Sequence, residues 1–180
     1  NFSYKKRFIT QTILKNFNYV IKKGKFTSII GPSGSGKTSL LKLISGLNEC
    51  ESGQIKFENK STTDLIKHVT LVQQNMSLMP WLNVFQNIHL GNLNKKKNCV
   101  DKLIQDIGLD GFAEHYPYQL SGGLVQRTVI ARAILFQPRL LLLDEPFAAL
   151  DNLSREIIST ELVSLIKKKS MTVIMVTHSV

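Results

Sequence analysis

A glycine-rich segment lies between an apolar run and a helical pattern, and its residue types suit phosphate binding. It reads Gly31-Pro32-Ser33-Gly34-Ser35-Gly36-Lys37-Thr38 and fits the spacing G-x-x-x-x-G-K-[ST]. Glycines let backbone N–H groups close around phosphate oxygens, where a Cβ would block the approach. The lysine can bridge the β- and γ-phosphates, and the threonine hydroxyl can ligate Mg²⁺. The segment therefore predicts a nucleoside triphosphate site, without specifying the reaction.

Two carboxylates, Asp144 and Glu145, end the apolar run Leu140–Leu143. The run predicts a buried strand, and open α/β sheets bind ligands at the carboxyl ends of such strands. We expect Asp144 to hold Mg²⁺ through its water shell and Glu145 to polarise the attacking water. A helix-capping acid pair is the alternative, and the four leucines together with the phosphate loop disfavour it.

A second turn suited to anions comes later in the chain, where Ser121, Gly122 and Gly123 follow Leu120 at the start of a helical pattern. One chain that binds one nucleotide does not need two such helix starts. Two copies arranged head to tail would use both. Each nucleotide would then lie between the glycine-rich loop of one copy and the Ser121–Gly123 turn of the other.

Taken in order, these motifs resemble those of the ATP-binding subunits of ABC transporters, over essentially the whole chain. Gly31–Thr38 is similar to the family's Walker A motif, and Leu140–Glu145 to Walker B with its catalytic glutamate. Leu120–Gly123 resembles the family signature, and Asp151 stands in the D-loop. Leu124 replaces the glutamine that commonly follows the signature. The stretch Gly91–Cys99 is shorter than the family's usual connection. The resemblance implies ATP and Mg²⁺ as cofactors.

Four single residues take a role only from this resemblance. Ser39 stands where the family contacts the α-phosphate, and Gln74 resembles the glutamine that touches Mg²⁺ and the attacking water and couples to the membrane subunit. His178 resembles the switch histidine at the γ-phosphate. Tyr4 is similar to the aromatic residue that stacks on adenine, with a surface or edge-strand tyrosine as an open alternative.

The hydrophobic pattern predicts the elements that position these residues. Compact apolar runs fit central strands of a parallel sheet at Phe26–Ile30, Val69–Gln73, Leu140–Asp144 and Thr172–Thr177. Polar alternation predicts an antiparallel layer at Ile13–Ile21 and Ile55–Glu58. Helical stripes follow Lys37, cover Cys99–Ile107 and include Ile130–Leu135. The fold class is therefore α/β, and with the resemblance a P-loop NTPase of ABC type.

The segment from about 76 to 119 lacks a strand pattern and predicts a mostly helical insertion. We expect one ABC ATPase domain over residues 1–180, with a core at about 1–75 and 125–180 and a helical subdomain at about 76–124. The chain begins with Asn1 and stops just after His178, where the family continues. We therefore expect it to be truncated at both ends.

The amino-acid composition disfavours nucleic-acid binding, a membrane-spanning helix and a disulfide framework. The net charge is +10, but no aromatic residues are interleaved with the lysines as base stacking would require. No apolar stretch approaches the roughly 18 residues of a membrane-spanning helix. Two cysteines are too few for a disulfide framework and fit a reduced, cytosolic setting.

The resemblance implies an ATP-hydrolysing subunit that powers a transporter. Gln74–Val84, with the pair Pro80-Trp81, resembles importers of nitrate, sulfonate and taurine. The implied partners are a second ATPase subunit in a homodimer, transmembrane permease subunits and a substrate-binding protein, on the cytoplasmic face of the inner membrane. Nucleic acid is not expected as a partner.

Two other functions remain open. One is a soluble ABC ATPase that acts on nucleic acid or ribosomes, although the stretch between Gln74 and Ser121 is too short for a long coiled coil. The other is a non-hydrolysing regulatory domain, which the presence of Lys37, Asp144, Glu145 and His178 disfavours.

Overall fold

Two antiparallel strands at the start of the chain form a small layer of their own. The computed structural model describes residues 1–6, 9–56, 68–75, 78–148 and 150–178, with backbone alone at 3–6 and 9–11. The strands are β1 (Phe2–Lys6) and β2 (Ile9–Leu14).

The strand predicted over Ile13–Ile21 is wrong, because β2 ends at Leu14. Asn16 has a left-handed backbone with φ of 50°, which an extended strand does not allow. In the second predicted strand, Ile55 and Lys56 belong to no strand, and residues 57 and 58 lie outside the described part of the chain.

Within the described part of the chain, four parallel strands form the central sheet, and they are the four that the apolar runs predict. They are β3 (Phe26–Ile30), β4 (Val69–Val72), β5 (Leu140–Asp144) and β6 (Thr172–Thr177), in the order β3-β6-β5-β4. The register pairs Ile30 with Thr177 and Asp144 with Val176. The carboxyl ends of β3, β5 and β6 therefore meet at one edge of the sheet, where the loops that leave these strands can share a site.

The central strand β5 is buried on both faces, which explains its unbroken run of leucines. Leu141 and Leu143 face one hydrophobic cluster, and Leu140 and Leu142 face another, as the two-residue period of a strand requires. The sheet is thus covered on both sides. The polar residues of the candidate site lie at the edge of the sheet where the parallel strands end.

Helices cover both faces of the sheet and fill the segment between β4 and β5. They are α1 (Lys37–Ile44), α2 (Val84–His89), α3 (Lys97–Asp106), α4 (Gly122–Leu135) and α5 (Asn152–Lys168), with a 3₁₀ turn at Pro117–Gln119. The described residues between β4 and α4 contain no strand, as the helical insertion predicted. None of the helices among the described residues is long and apolar enough to cross a bilayer.

Polar side chains cap the starts of helices α2 and α5. Asn83 accepts a hydrogen bond of 2.8 Å from the Gln86 backbone, and the Gln86 side chain accepts one of 3.0 Å from Asn83, which completes a capping box for α2. Asp151 caps α5 by accepting from the Ser154 backbone at 2.9 Å. These polar caps satisfy N–H groups that have no partner inside the helix.

A buried asparagine fixes the loop that enters the helical insertion. Asn87 is fully buried on α2, and its amide nitrogen donates to the carbonyls of Met79, Leu82 and Asn83 at 2.8–3.1 Å. Its amide oxygen accepts from the Met79 backbone at 2.8 Å. The loop that carries Trp81 is therefore held to α2, while the indole itself is 69% exposed.

Candidate functional site

The glycine-rich loop turns sharply between β3 and α1. Gly34 and Gly36 have φ angles of 79° and 91°, a left-handed conformation that side chains with a Cβ rarely adopt. A Cβ on Gly36 would also lie 2.5 Å from Cγ2 of Ile13, so the antiparallel layer packs directly against the loop. The loop is further tied to β6, because the Gly31 backbone donates to the Thr177 carbonyl at 3.4 Å.

Lys37, the first residue of α1, reaches back across the loop. Its Nζ donates to the carbonyl oxygens of Gly31 and Pro32, both at 2.8 Å, and the residue is only 8% exposed. A buried ammonium requires such partners. Its charge is therefore held beside the loop and the start of α1, where the helix dipole also favours anions.

Two of the three residues predicted to contact the metal, Thr38 and Asp144, are in direct contact with each other. Thr38 Oγ1 donates to Asp144 Oδ1 at 3.0 Å, and Asp144 is 5% exposed at the end of β5. Burial raises the pKa of Asp144, and the neighbouring charge of Glu145 raises it further, while the Thr38 hydrogen bond and the charges of Lys42 and Lys37 oppose that rise. A hydroxyl and a carboxylate are hard oxygen donors of the kind Mg²⁺ prefers, so this pair fits the ion.

Glu145 and His178 form a second pair at the same edge. Glu145 Oε2 lies 2.7 Å from His178 Nδ1, and the Glu145 backbone N–H donates to the Val176 carbonyl at 3.0 Å. Glu145 has a φ of 47°, an uncommon value for a residue with a Cβ. The chain therefore turns immediately after Asp144, and this turn brings both consecutive carboxylates to one site.

A cavity of about 190 Å³ lies at the centre of these contacts. It is lined by seven of the predicted site residues and by Ile13, the predicted ones being Ser33, Gly34, Gly36, Lys37, Thr38, Ser39 and Glu145. Asp144 does not line the cavity itself but is hydrogen-bonded to Thr38, which does. His178 likewise contacts Glu145, which lines the cavity. Pro32, Ser35 and Gly31 complete the loop, where Ser35 donates its backbone N–H to the Pro32 carbonyl at 3.3 Å.

The remaining predicted residues lie away from the cavity. Gln74 is exposed in the turn after β4, at the same edge of the sheet but not on the cavity wall. Ser121, Gly122 and Gly123 begin α4, with Ser121 as its cap. Asp151 caps α5 and is exposed. The side chain of Tyr4 lies outside the described part of the chain; its backbone pairs with Gln11 in the antiparallel layer.

The structure adds contributors that the motifs did not identify. Ile13 lines the cavity wall, and the carbonyls of Val176 and Thr177 receive hydrogen bonds from Glu145 and Gly31. Every residue has a backbone carbonyl, so the residue types cannot indicate which carbonyls take part in the site. Ile13 reads in the sequence as an ordinary apolar strand position, so only its place in the fold brings it to the loop.

Comparison with known proteins agrees with this geometry. The chain is 41% identical over 174 residues to the aliphatic sulfonates import ATP-binding protein SsuB of Bacillus cereus, covering 95% of this chain and 69% of the relative. It is also 41% identical to the nitrate import ATP-binding protein NrtC of Synechococcus elongatus, covering 93% of this chain and 27% of that protein.

Among solved structures, a dimeric ATP-binding cassette in a post-hydrolysis state bound to ADP and Pi superposes with a TM-score of 0.83. Its sequence identity is 33%, and the match covers 98% of this chain and 84% of that one. The family description "ABC transporter" matches residues 14–148, a range that holds the phosphate loop, the Thr38–Asp144 pair and Glu145. The chain therefore belongs to the ABC transporter family.

Proposed function

We propose that this protein is the ATP-hydrolysing subunit of an importer for a small solute such as nitrate, a sulfonate or taurine. The observation that carries the proposal is the meeting of Lys37, Thr38, Asp144, Glu145 and His178 at one edge of the sheet. The relatives named as sulfonate and nitrate import ATP-binding proteins support both the reaction and the direction of transport.

Each residue of this edge has a distinct task. The loop amides and Lys37 bind the phosphate chain of ATP, and Ser39 lies one residue further along the same wall. Thr38 and Asp144 would hold Mg²⁺, which would supply charge neutralisation at the phosphate chain. Tyr4 is assigned to the adenine by resemblance alone.

Glu145 is the base that accepts a proton from the attacking water. Its carboxylate lines the cavity, and its backbone is fixed to β6 at Val176. His178 orients that carboxylate through the 2.7 Å contact, and the resemblance assigns it to the γ-phosphate. The reaction consumes one water and releases ADP and phosphate. Gln74, in the exposed turn beyond β4, is assigned to the water and the metal once a ligand is bound.

The site is completed by a second copy of the chain. The turn formed by Ser121, Gly122 and Gly123 lies outside the cavity of its own chain, and Ser121 and Gly122 are exposed. In a head-to-tail dimer they supply the second anion-binding turn to the partner's nucleotide. Asp151, exposed at the start of α5, belongs to the same face. This arrangement follows from the separation of two phosphate-binding turns in one chain.

The remaining partners follow from the role in import. The subunit associates with transmembrane permease subunits on the cytoplasmic face of the cell membrane, and a substrate-binding protein delivers the solute. Residues 76–124 serve as the helical subdomain, while the remainder, at about 1–75 and 125–180, forms the core. The Pro80-Trp81 pair carries the resemblance to the nitrate and sulfonate importers, and Trp81 is exposed on the loop that Asn87 fixes.

Light scattering of the Glu145→Gln protein, with and without MgATP, tests the proposal. We expect monomers that become dimers only with MgATP, and ATP hydrolysis reduced on the order of 100-fold. Adding Ser121→Arg should abolish the dimer. Ser164→Arg is the matched control, because it places the same side chain at an exposed serine on a different helix, α5.

Three outcomes would contradict the proposal. Unchanged hydrolysis in Glu145→Gln would remove the assigned base. ATP binding without dimerisation would mean that the Ser121–Gly123 turn is idle and that the mechanism is confined to one chain. Salt-dependent binding of nucleic acid by the protein would instead favour the soluble class of ABC ATPases.

A further inference from the structure

Arg127 joins three helices beneath the Ser121–Gly123 turn. It lies on α4, and its side chain is only 12% exposed. Its Nη1 donates to the backbone carbonyl of Ile107, at the end of α3, at 2.6 Å. The same nitrogen forms an ion pair with Oε2 of Glu161 on α5. One guanidinium nitrogen, which carries two N–H bonds, therefore links α3, α4 and α5.

The end of α3 is built to present that carbonyl. Leu109 donates to the Ile104 carbonyl at 2.9 Å and Gly108 to the Gln105 carbonyl at 3.1 Å, the hydrogen-bond pattern of a Schellman motif. Gly108 has a φ of 68°, and a Cβ there would lie 2.6 Å from Nη1 of Arg127. The glycine thus both ends the helix and leaves space for the guanidinium.

The first turn of α4 has little stability of its own. It contains Gly122 and Gly123, and glycine is a poor helix former. The cap hydrogen bond from the Leu124 backbone to Ser121 Oγ is long, at 3.4 Å. The direction of this turn therefore depends on contacts further along the helix, and on the next turn these include the guanidinium of Arg127, whose side chain is largely buried.

We propose that Arg127 is a positioning residue that fixes the Ser121–Gly123 turn relative to the rest of the molecule. It acts through α4 and does not itself touch the nucleotide. The inference rests on the proposed function, because the turn serves the partner's nucleotide only in the dimer. Glu161 and the Ile107 carbonyl both bind Nη1 of Arg127, so the loss of Arg127 removes the polar contacts that this side chain makes with α3 and α5 at once, while the apolar packing of α4 stays in place.

Hydrogen exchange of the monomer tests this positioning without nucleotide. In Arg127→Ala, we expect the amides of Leu124 and Val125 to exchange at least about tenfold faster, while those of Leu40 in α1 and of Ser45 directly after it keep their rates. Arg127→Lys, which keeps one cation near both oxygens, should recover part of the protection. An equal acceleration in α1 would mean general destabilisation and would overturn the inference, as would unchanged rates in α4.

Lys168→Ala is the matched control. Lys168 pairs with Asp106 at 3.2 Å and so also joins α3 to α5, but its side chain is 66% exposed. An exposed pair of this kind contributes little, so we expect exchange in α4 to stay within about twofold of the parent. If Lys168→Ala loosened α4 as much as Arg127→Ala, the specific role of Arg127 would be refuted.

Dimerisation provides an independent second measurement. In the Glu145→Gln protein, Arg127→Ala should raise the MgATP concentration needed for half-maximal dimer at least about tenfold, with the affinity of the monomer for ATP within about twofold. Dimerisation equal to the parent would contradict the inference. If the Glu145→Gln parent itself failed to dimerise, the proposed function would fall, and the exchange rates would still decide whether Arg127 positions the turn.

Discussion

Thr38 and Asp144 are 106 residues apart in the chain, yet Thr38 Oγ1 donates a hydrogen bond of 3.0 Å to Asp144 Oδ1. The contact exists because α1 begins directly above the carboxyl end of β3, and β5 ends at the same edge of the sheet. It joins the phosphate loop to the end of the acidic strand β5. The two oxygens lie together, as the proposed metal site requires.

Replacing Thr38 by valine should separate the metal-binding role from the shape of the side chain. We expect ATP hydrolysis to fall at least about tenfold, because the hydroxyl ligand is lost. The free energy of unfolding should fall by about 1–2 kcal/mol, since the buried Asp144 carboxylate loses a donor. Thr38→Ser is the control and should retain both properties. A Thr38→Val protein with normal Mg²⁺-dependent hydrolysis would remove this residue from the metal site.

The raised pKa of Asp144 predicts how stability depends on pH in the absence of metal and nucleotide. Because this pKa lies above the ordinary value of 3.8 in the folded state, the folded protein binds the proton more tightly than the unfolded chain does. The stability that this carboxyl contributes is therefore present at low pH. It is lost as the pH rises from that ordinary value through the raised folded one.

Asp144→Asn should accordingly be more stable than the parent at neutral pH, in the presence of EDTA. Asparagine keeps an oxygen for the Thr38 hydroxyl but carries no charge to bury. Chemical denaturation at several pH values measures the difference, which should shrink toward acid pH. A mutant that is less stable than the parent at neutral pH would show that the buried charge is not the destabilising feature.

The pair of Glu145 and His178 predicts a defect in the chemical step with binding preserved. His178→Ala should lower kcat by about 100-fold, because the carboxylate of Glu145 loses the group that orients it. ATP affinity, measured by equilibrium binding, should change by less than about threefold, because the phosphate loop is untouched. His89→Gln, on α2 and outside the site, serves as the control. Equal kcat values for His178→Ala and the parent would exclude His178 from the reaction.

Gly91 predicts a purely structural defect. A Cβ at this position would lie 2.1 Å from the Arg132 carbonyl oxygen, a backbone atom that cannot rotate away. Gly91→Ala should therefore lower the free energy of unfolding by about 2–3 kcal/mol. Gly111→Ala has open space but a φ of 81°, so it should cost about 1 kcal/mol from strain alone. A reversed order in the denaturation midpoints would contradict this packing.

The apolar runs predicted the central strands correctly, whereas one antiparallel strand was misplaced and one helix was missed. The four central strands follow from apolar runs because strands buried on both faces need no polar alternation. The first antiparallel strand was misplaced because the alternation continues past Leu14, whereas the left-handed Asn16 ends the strand. Helix α5 was missed, although Ile158, Leu162 and Ile166 recur at helical spacing on its buried face.

The phosphate-binding chemistry can be predicted from residue types alone, because glycines, a lysine, a threonine and paired acids at fixed local spacing are recognisable without a fold. Which of these residues meet depends on the tertiary structure. It brings Ile13 against Gly36 and His178 against Glu145, and it leaves the Ser121–Gly123 turn outside the cavity. It also places Arg127 between Ile107 and Glu161. The physical reason is that strand order and helix packing, rather than distance along the chain, set which side chains come within hydrogen-bonding range.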